Sequence, residues 1–463
     1  MKRLIVFIGL IISSTCVLAQ ARKQVMFWLS DPGQFLYFQK QQPLSVQTKS
    51  RTESTITIDD AKTYQAMDGF GFSLTGGSAH HLMGMSPKAR AALLKQLFST
   101  EGEGIGVSYL RISIGASDLD EYPFSYNDLP EGEIDTAMEK FDLGPDKKEL
   151  IPVLKEILAI YPALKIMASP WSPPKWMKTN NDSRGGSLKP EYYEAYAKYF
   201  VRYIREMQKL GIRIDAITVQ NEPLHPGNNP SLLMQPEEQL IFVGDFLGPA
   251  FRRAGIKTKI VIYDHNADRP DYPISILDDE EARKYIDGSA FHLYAGGIDA
   301  LSKVHEAHPD KRLYFTEQWI GGPGNFKEDM AFHIRELIIG APRNWCRTVL
   351  EWNLSSDPEY KPHTDRGGCD RCLGGVTIDK DSVVRNPGYY IIAHASKFVR
   401  PGSVRIASNS SKELPNVAFK TPQGKMVVIV FNNTELEQPF SLRYKNLYVE
   451  TKLAASTAAT YVW

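Results

Sequence analysis

The chain carries no excess charge of either sign. Its 54 lysines and arginines face 54 aspartates and glutamates, for a formal net charge of zero. A protein whose main partner is nucleic acid or an anionic membrane leaves a basic footprint, so this balance argues against both, although local patches remain open. Cysteine is scarce: there are four, with Cys16 near the N-terminus, Cys346 alone, and Cys369 and Cys372 forming a C-x-x-C. A structural zinc site wants four ligands, and no second C-x-x-C or paired histidines accompany this one. In an oxidising compartment a local disulfide is the plainer use, with a redox pair as the alternative. There is no H-E-x-x-H and no P-loop. Gly69-x-Gly71 and Gly102-x-Gly104-x-Gly106 break off before completing G-x-G-x-x-G. No metal is expected.

Long apolar runs are missing too, apart from residues 4–12. Lys2 and Arg3 precede that run, small and polar residues follow, and Val17-Leu18-Ala19 stand before Gln20. This is the order of a secretory signal peptide, too short for a membrane span. Cleavage is expected after Ala19. Lipidation at Cys16 is the rival, which Thr15 fits poorly. The mature protein is expected to be exported, periplasmic or at the cell surface or secreted, with no transmembrane segment.

With 463 residues, 43% of them hydrophobic, the chain can bury a large core and still build a second unit. Both ends read as β. Short strand-like runs occupy 24–28, 35–41 and 54–59, and six more follow residue 402: 404–407, 417–421, 426–431, 439–444, 448–452 and 459–463. Turn residues separate them and no long helical pattern intervenes, which suggests a sandwich completed by the N-terminal strands. In the middle, strand candidates at 65–74, 107–114, 165–169, 216–220, 259–263, 289–294, 312–317 and 348–352 alternate with amphipathic stretches such as 87–98, 148–160, 190–210, 237–254 and 327–339. Asp146 and Ser302 suit helix starts, and Gly211 and Gly255 suit helix ends. Eight βα units predict a (β/α)8 TIM barrel with an all-β sandwich side domain formed by both chain ends; an open doubly wound sheet is the rival. The expected divisions are a signal peptide over 1–19, side-domain strands over 20–62, the barrel over 63–400 and the side-domain sandwich over 401–463.

In such a barrel the chemistry lies where strands run into βα loops. Those positions read Asp68-Gly69-Phe70-Gly71-Phe72, Arg111 and Asp118, Ser169 to Trp176, Gln220-Asn221-Glu222-Pro223, Asp264-His265-Asn266, His292 and Tyr294, Thr316-Glu317-Gln318-Trp319 and Glu351-Trp352-Asn353. Glu222 and Glu317 stand out. A single glutamate after a strand ordinarily serves as a salt bridge or helix cap. Two of them, on strands four and seven of a small barrel, lie nearly opposite and can reach one cleft. Glycoside cleavage needs one protonated and one ionised carboxyl flanking the bond, and a separation of roughly 5–5.5 Å makes the reaction retaining. Trp171, Trp176, Trp319 and Trp352 supply flat faces on which a sugar ring can pack. Arg111 beside Glu317 would keep that carboxylate ionised, or else form a buried structural pair. His80, His81, His305 and His308 lack zinc partners, and His265 and His363 read as surface or satisfied histidines.

Over about 64–400 the chain resembles glycoside hydrolase family 30, the family of glucosylceramidases and β-1,6-glucanases. The matching segments, in order, are DGFGFSLTGG (68–77), YLRISIGASD (109–118), ASPWSPPKWMKTN (168–180), TVQNEP (218–223), His292 to Tyr294, TEQ (316–318) and EWNL (351–354). The resemblance implies a barrel with a β side domain, an acid/base at Glu222 and a nucleophile at Glu317. It implies Asn221 on the sugar 2-hydroxyl, Asp118 and Trp171 on the far hydroxyls, and Arg111 steadying the nucleophile. His292, Tyr294, Trp352 and Asn353 complete the implied pocket. The family's chemistry needs no cofactor. The loop GGCDRCLGGVTID (367–379) looks similar to that of β-1,6-glucanases, which favours endo-β-1,6-glucanase acting on a β-glucan, with the chain expected to be a monomer. The alternatives are an exo-acting β-glucosidase or glucosylceramidase-like enzyme, and a non-catalytic carbohydrate-binding protein on the same fold. A cell-surface adhesion protein would explain export but not the strand ends. The side domain shows no obvious aromatic stripe and is assigned a structural role.

Overall fold

The computed structural model describes residues 24–463, so the assignments of a signal peptide, of cleavage after Ala19 and of lipidation at Cys16 lie outside the described residues. Eight parallel strands close into a barrel: Gly69–Ser73, Tyr109–Ser113, Lys165–Ser169, Ala216–Thr218, Lys259–Ala267, Ile286–Gly296, Arg312–Glu317 and Cys346–Asn353. The open-sheet alternative is excluded. The first strand shows why its motif is glycine-rich: a Cβ on Gly71 would stand 1.9 Å from the carbonyl oxygen of Tyr109 on the neighbouring strand. Phe70 and Phe72 turn outward into the core between strands and helices.

Period two builds the inside in layers. Tyr109, Met167, Ala216, Val261, Ala290, Tyr314 and Leu350 fill the barrel as one apolar cluster. Two residues further along their strands come Arg111, Ser169, Thr218, His292, Thr316 and Trp352, which form the polar floor of the open end. Several register shifts break the period there, and two of them shape the site. Pairing between the fifth and sixth strands shifts so that Asp264 is the extra residue, and pairing between the sixth and seventh shifts at Thr316. Bulges re-aim side chains next to functional sites, and these two turn Asp264 and Glu317 toward the axis.

The helices follow the amphipathic stretches, for example Pro87–Phe98, capped by Ser86 with proline at its first position, and Leu150–Ile160. Gly211 and Gly255 end their helices at φ 81° and 68°. Asp146 and Ser302 both fall in the first turn of a helix, in Gly144–Lys147 and Ala300–Ala307, and neither side chain caps it. Asp146 is buried and accepts from the Tyr126 hydroxyl, and Ser302 lies inside Ala300–Ala307, where its hydroxyl donates to Asn344 at 2.7 Å.

The chain ends form the side domain. Gln24–Asp31, Leu36–Lys40, Leu44–Ser45 and Thr55–Ala66 join Val404–Ser408, Asn416–Lys420, Met426–Phe431, Gln438–Tyr444, Leu447–Leu453 and Ala458–Val462 in a ten-stranded β sandwich. Residues 65–66, expected in the first barrel strand, belong to Thr55–Ala66. Val404 pairs with Ala66 there, and the chain turns into the barrel only after Met67 donates to the Ser403 carbonyl. Alternation serves both domains at once. Val417, Phe419, Val427, Ile429 and Phe431 pack into the barrel's core, while Ala418, Val428 and Val430 between them face the sandwich core. Among the described residues no helix is long and apolar enough to cross a membrane.

Candidate active site

Arg111 sits at the centre of the polar floor, fully buried. Its fork reaches four side chains from four strands or strand ends: Nη1 donates to Glu317 Oε2 at 2.6 Å, Nη2 to Asn221 Oδ1 at 2.6 Å and to Asp264 Oδ2 at 2.8 Å, and Nε to Ser169 Oγ at 3.1 Å. Its guanidinium lies 4.8 Å from the Trp171 ring. A buried cation held so completely orients every acceptor it touches.

Asp264 is the second hub. Besides Arg111 it accepts from the hydroxyls of Thr218 at 2.7 Å and Thr316 at 2.6 Å, and from His292 Nε2 at 3.2 Å. Burial alone would raise its pKa, but Arg111 and His292 hold it far below the carboxylate range. Asp264 and Glu222 both have left-handed backbones, at φ 66° and 44°, and the Glu222 amide donates to the Asp264 carbonyl at 2.9 Å. Two non-glycine residues held in that region at adjoining strand ends are strain kept by their surroundings.

Glu222 and Glu317 face each other across this floor. One atom each of Glu222, His292 and Glu317 lie within 4.8 Å of one another. Glu317 accepts from Arg111 on one oxygen and from the Tyr294 hydroxyl at 3.0 Å on the other, so each carboxyl oxygen has a donor. Burial nevertheless pushes its pKa above the usual range, with the charges of Glu222 and Asp264 acting the same way and His292 and Arg111 opposing. Against its own burial, Glu222 is held low by the imidazoles of His265 and His292. Burial pulls His292 down, but the charge of Glu317 and the bonds to Asp264 and Glu222 push it up to about 9.

The remaining residues singled out in the sequence gather here as well. Trp171 and Trp352 stack with ring centres 5.5 Å apart, packed with Leu119 and Cys372 and flanked by Trp319 and Cys369. Trp171 Nε1 is buried without a partner among the described residues. Asp118 is buried, its pKa raised to about 8 by desolvation and then by the charge of Glu317. Asn221 gives its carbonyl to Arg111, a pure donor, which leaves its amide group as the one free to donate. Asn353 donates to the carbonyls of Ser355 at 3.0 Å and Cys372 at 3.4 Å, and its Oδ1 has no partner among the described residues.

Three strand-end residues stand elsewhere. Trp176 donates to Asn127 and packs edge-on against Tyr192, so it is no sugar platform. Asp68 starts its strand at the opposite end of the barrel, bridged to Lys165 at 2.6 Å and Arg347 at 3.1 Å. Glu351 turns outward to His333 at 2.8 Å. Asp264 and His265 are the functional residues missed by reading the sequence. Their strand end was visible, but a lone Asp-His pair there carries no signal of which way a bulge turns it. Cys369 and Cys372 form a disulfide, and the strand Cys372–Leu373 pairs with Ile320–Gly321 just past Glu317, tying the disulfide loop to the loop of the seventh strand.

Comparison with known proteins gives the same picture. Residues 67–399 match the glycosyl hydrolase family 30 TIM-barrel domain and residues 402–461 the glycosyl hydrolase family 30 beta sandwich domain. The chain is 35% identical over 397 residues to an endo-1,6-beta-D-glucanase of Neurospora crassa, covering 81% of each. It is 29% identical over 444 residues to the lysosomal acid glucosylceramidase of Mus musculus, covering 90% of this chain and 84% of the other. The solved structure of an endo-beta1,6-glucanase superposes with a TM-score of 0.87 at 36% identity, over 95% of this chain and 99% of that one.

Proposed function

The chain belongs to glycosyl hydrolase family 30, and from that premise we propose that it is a retaining endo-β-1,6-glucanase in which Glu317 is the nucleophile and Glu222 the acid/base. The observation that carries this reading is the approach of the two carboxylates to within 4.8 Å across the barrel mouth. That is the spacing of direct attack, since an inverting pair stands roughly 6.5–9.5 Å apart to admit a water.

Glu317 attacks the anomeric carbon while Glu222 protonates the departing glycosidic oxygen, which leaves a covalent glycosyl-enzyme. Glu222, now a carboxylate, removes a proton from water, and the water oxygen displaces Glu317 with overall retention. Arg111 and Tyr294 hold the attacking carboxylate. The free amide of Asn221 donates to the 2-hydroxyl, a bond that strengthens as the ring gains positive charge. The buried Trp171 Nε1 and the Asp118 carboxyl are two polar groups waiting for sugar hydroxyls, and the Trp171–Trp352 stack backs the ring. The enzyme acts as an exported monomer on polysaccharide. The barrel carries the chemistry and the side domain supports it.

Digestion of a β-1,6-glucan such as pustulan tests this, with Glu317→Gln in parallel and an aryl β-glucoside for comparison. Short oligosaccharides should appear early, and the variant should lose on the order of 10^4-fold in kcat. Glucose as sole product would make the enzyme exo-acting. Turnover of the aryl glucoside alone would keep the mechanism and move the substrate toward that of the glucosylceramidase relatives. Full activity in Glu317→Gln would discard the mechanism.

A further inference from the structure

The carboxylates of Asp264 and Glu317 share a single guanidinium, Arg111, and Glu222 stands beside them without one. Three ligand-type atoms, from Glu222, His292 and Glu317, already lie within 4.8 Å of one another. A fourth stands beside them. Nδ1 of His265 is 3.8 Å from Glu222 Oε1, beyond hydrogen-bond reach, and it has no hydrogen-bond partner among the described residues although the residue is only 7% exposed.

We infer that Glu222, His265, His292 and Glu317 form a binding site for one zinc-class divalent cation, which excludes sugar by occupying the place of the reacting carbon. Zinc bonds of 2.0–2.2 Å in a tetrahedron set ligand atoms about 3.4 Å apart. Here His292 Nδ1 is 3.1 Å from Glu222 Oε1 and 3.9 Å from Glu317 Oε1, close to that spacing, and His265 Nδ1, 3.8 Å from Glu222 Oε1, completes the shell by turning toward the other two. The supporting contacts are those of a metal-binding histidine: His292 Nε2 faces the carboxylate of Asp264 at 3.2 Å, which leaves Nδ1 to the ion. The donor set of two nitrogens and two carboxylates suits zinc. It is too small for calcium, which takes six to eight oxygens. Binding does not rest on the choice of glucan or on the assignment of acid and nucleophile; only the inhibition does.

Calorimetric titration of the full chain with zinc chloride in chelator-free buffer tests the site. One ion per chain should bind, magnesium and calcium chloride should give no such isotherm, and Glu317→Gln and His265→Ala should each weaken zinc binding roughly 10-fold or more. A melting transition recorded without zinc shows that each variant is folded, and if one is not, the other alone decides. Anomalous diffraction at the zinc edge should place the ion between the two glutamates. Absence of binding overturns the inference. So does binding that neither variant weakens, which would put the ion on a surface pair such as His80 and Glu149. On the active enzyme zinc should raise KM without changing kcat; if the site binds zinc and the kinetics are not competitive, the reading of this cluster as the sugar site fails instead.

Discussion

Nδ1 of His292 lies 3.1 Å from Oε1 of Glu222, and a single proton serves both. Nε2 faces Asp264, a carboxylate held ionised by Arg111, so Nε2 carries its own hydrogen. Nδ1 is then left either to donate to the Glu222 carboxylate or to accept from the Glu222 acid. The first arrangement prevails, because His292 is raised and Glu222 lowered. In the mechanism proposed above, the proton required by the leaving group is therefore stored one hydrogen bond away from the residue that delivers it.

This predicts where the alkaline limb of the pH profile falls. The pair keeps its proton until about pH 9, the value to which His292 is pushed, and the alkaline limb of kcat/KM reports the acid of the free enzyme. His292→Gln leaves Glu222 to hold the proton alone and should move that limb to lower pH. The stability sign is also fixed. A histidine raised from its usual 6.5 to about 9 stabilises fully below 6.5, and that contribution is lost as pH rises through 9. A melting curve that falls over this window in the wild type and stays flat in His292→Gln is expected; identical slopes and identical limbs would refute the shared proton.

Arg111→Met should be among the most damaging single changes. It leaves Asp264 and Glu317 buried without their cation, a loss of about 3–5 kcal/mol, and frees Glu317 to turn. Arg111→Lys should rescue little, because a point charge cannot reach four acceptors in the planar fork that the guanidinium fills. Urea denaturation and kcat, measured on both variants, check the two halves of this claim separately.

The disulfide is expected to act on binding more than on folding. It closes a loop of four residues, worth about 2 kcal/mol in the chain-entropy picture, yet Cys369 and Cys372 pack against Trp171, Trp352 and Trp319 and their loop is laddered to Ile320–Gly321. Replacing both by alanine should raise KM for the glucan several-fold with kcat little changed. A drop confined to kcat would mean that the loop positions Glu317 instead of the sugar platform.

A different histidine should make the molecule acid-sensitive at the domain junction. In His394, Nδ1 lies 2.9 Å from the hydroxyl of Thr460, which itself donates to the His394 carbonyl, so Nδ1 must donate. Ser30 accepts from the Phe38 amide and donates to Nε2 at 2.8 Å. Both ring nitrogens are satisfied in the neutral form, and burial pulls the pKa down to about 3. The unfolded chain takes up a proton below 6.5 and the folded one does not, so stability falls as pH drops from 6.5 toward 3, by up to about 1.4 kcal/mol per pH unit. His394→Phe should flatten this slope. Deleting residues 402–463 removes Thr460 together with Val417, Phe419 and Ile429, bares the part of the barrel core they cover, and should lower the melting temperature and activity of what remains.

Much of this molecule can be read from local pattern. Strand and helix spacing over 65–352 predicts eight βα units, and the chain ends read as strands, because side-chain period and turn residues are properties of neighbouring positions. Glu222 and Glu317 are legible for the same reason, since each sits where a strand runs into its loop. Trp176 shows the limit. Its segment holds two tryptophans five residues apart, one packed against Arg111 and Trp352 and one bonded to Asn127, and nothing in the residue types tells them apart. Residues 65–66 show it again, for an extended segment has no sign of whether its partner is a barrel strand or Val404.

The sequence by itself determined the order of elements, the two domains and the pair of acids, all of which follow from residue type and spacing along the chain. Only the tertiary structure decided that Asp264 and His265 belong to the site, that Asp68 and Glu351 do not, and that Arg111 joins four strand ends. Those outcomes depend on barrel closure and on two bulges, which set distances between residues far apart in the chain. They depend too on burial, which makes the charge of each group a property of its neighbours.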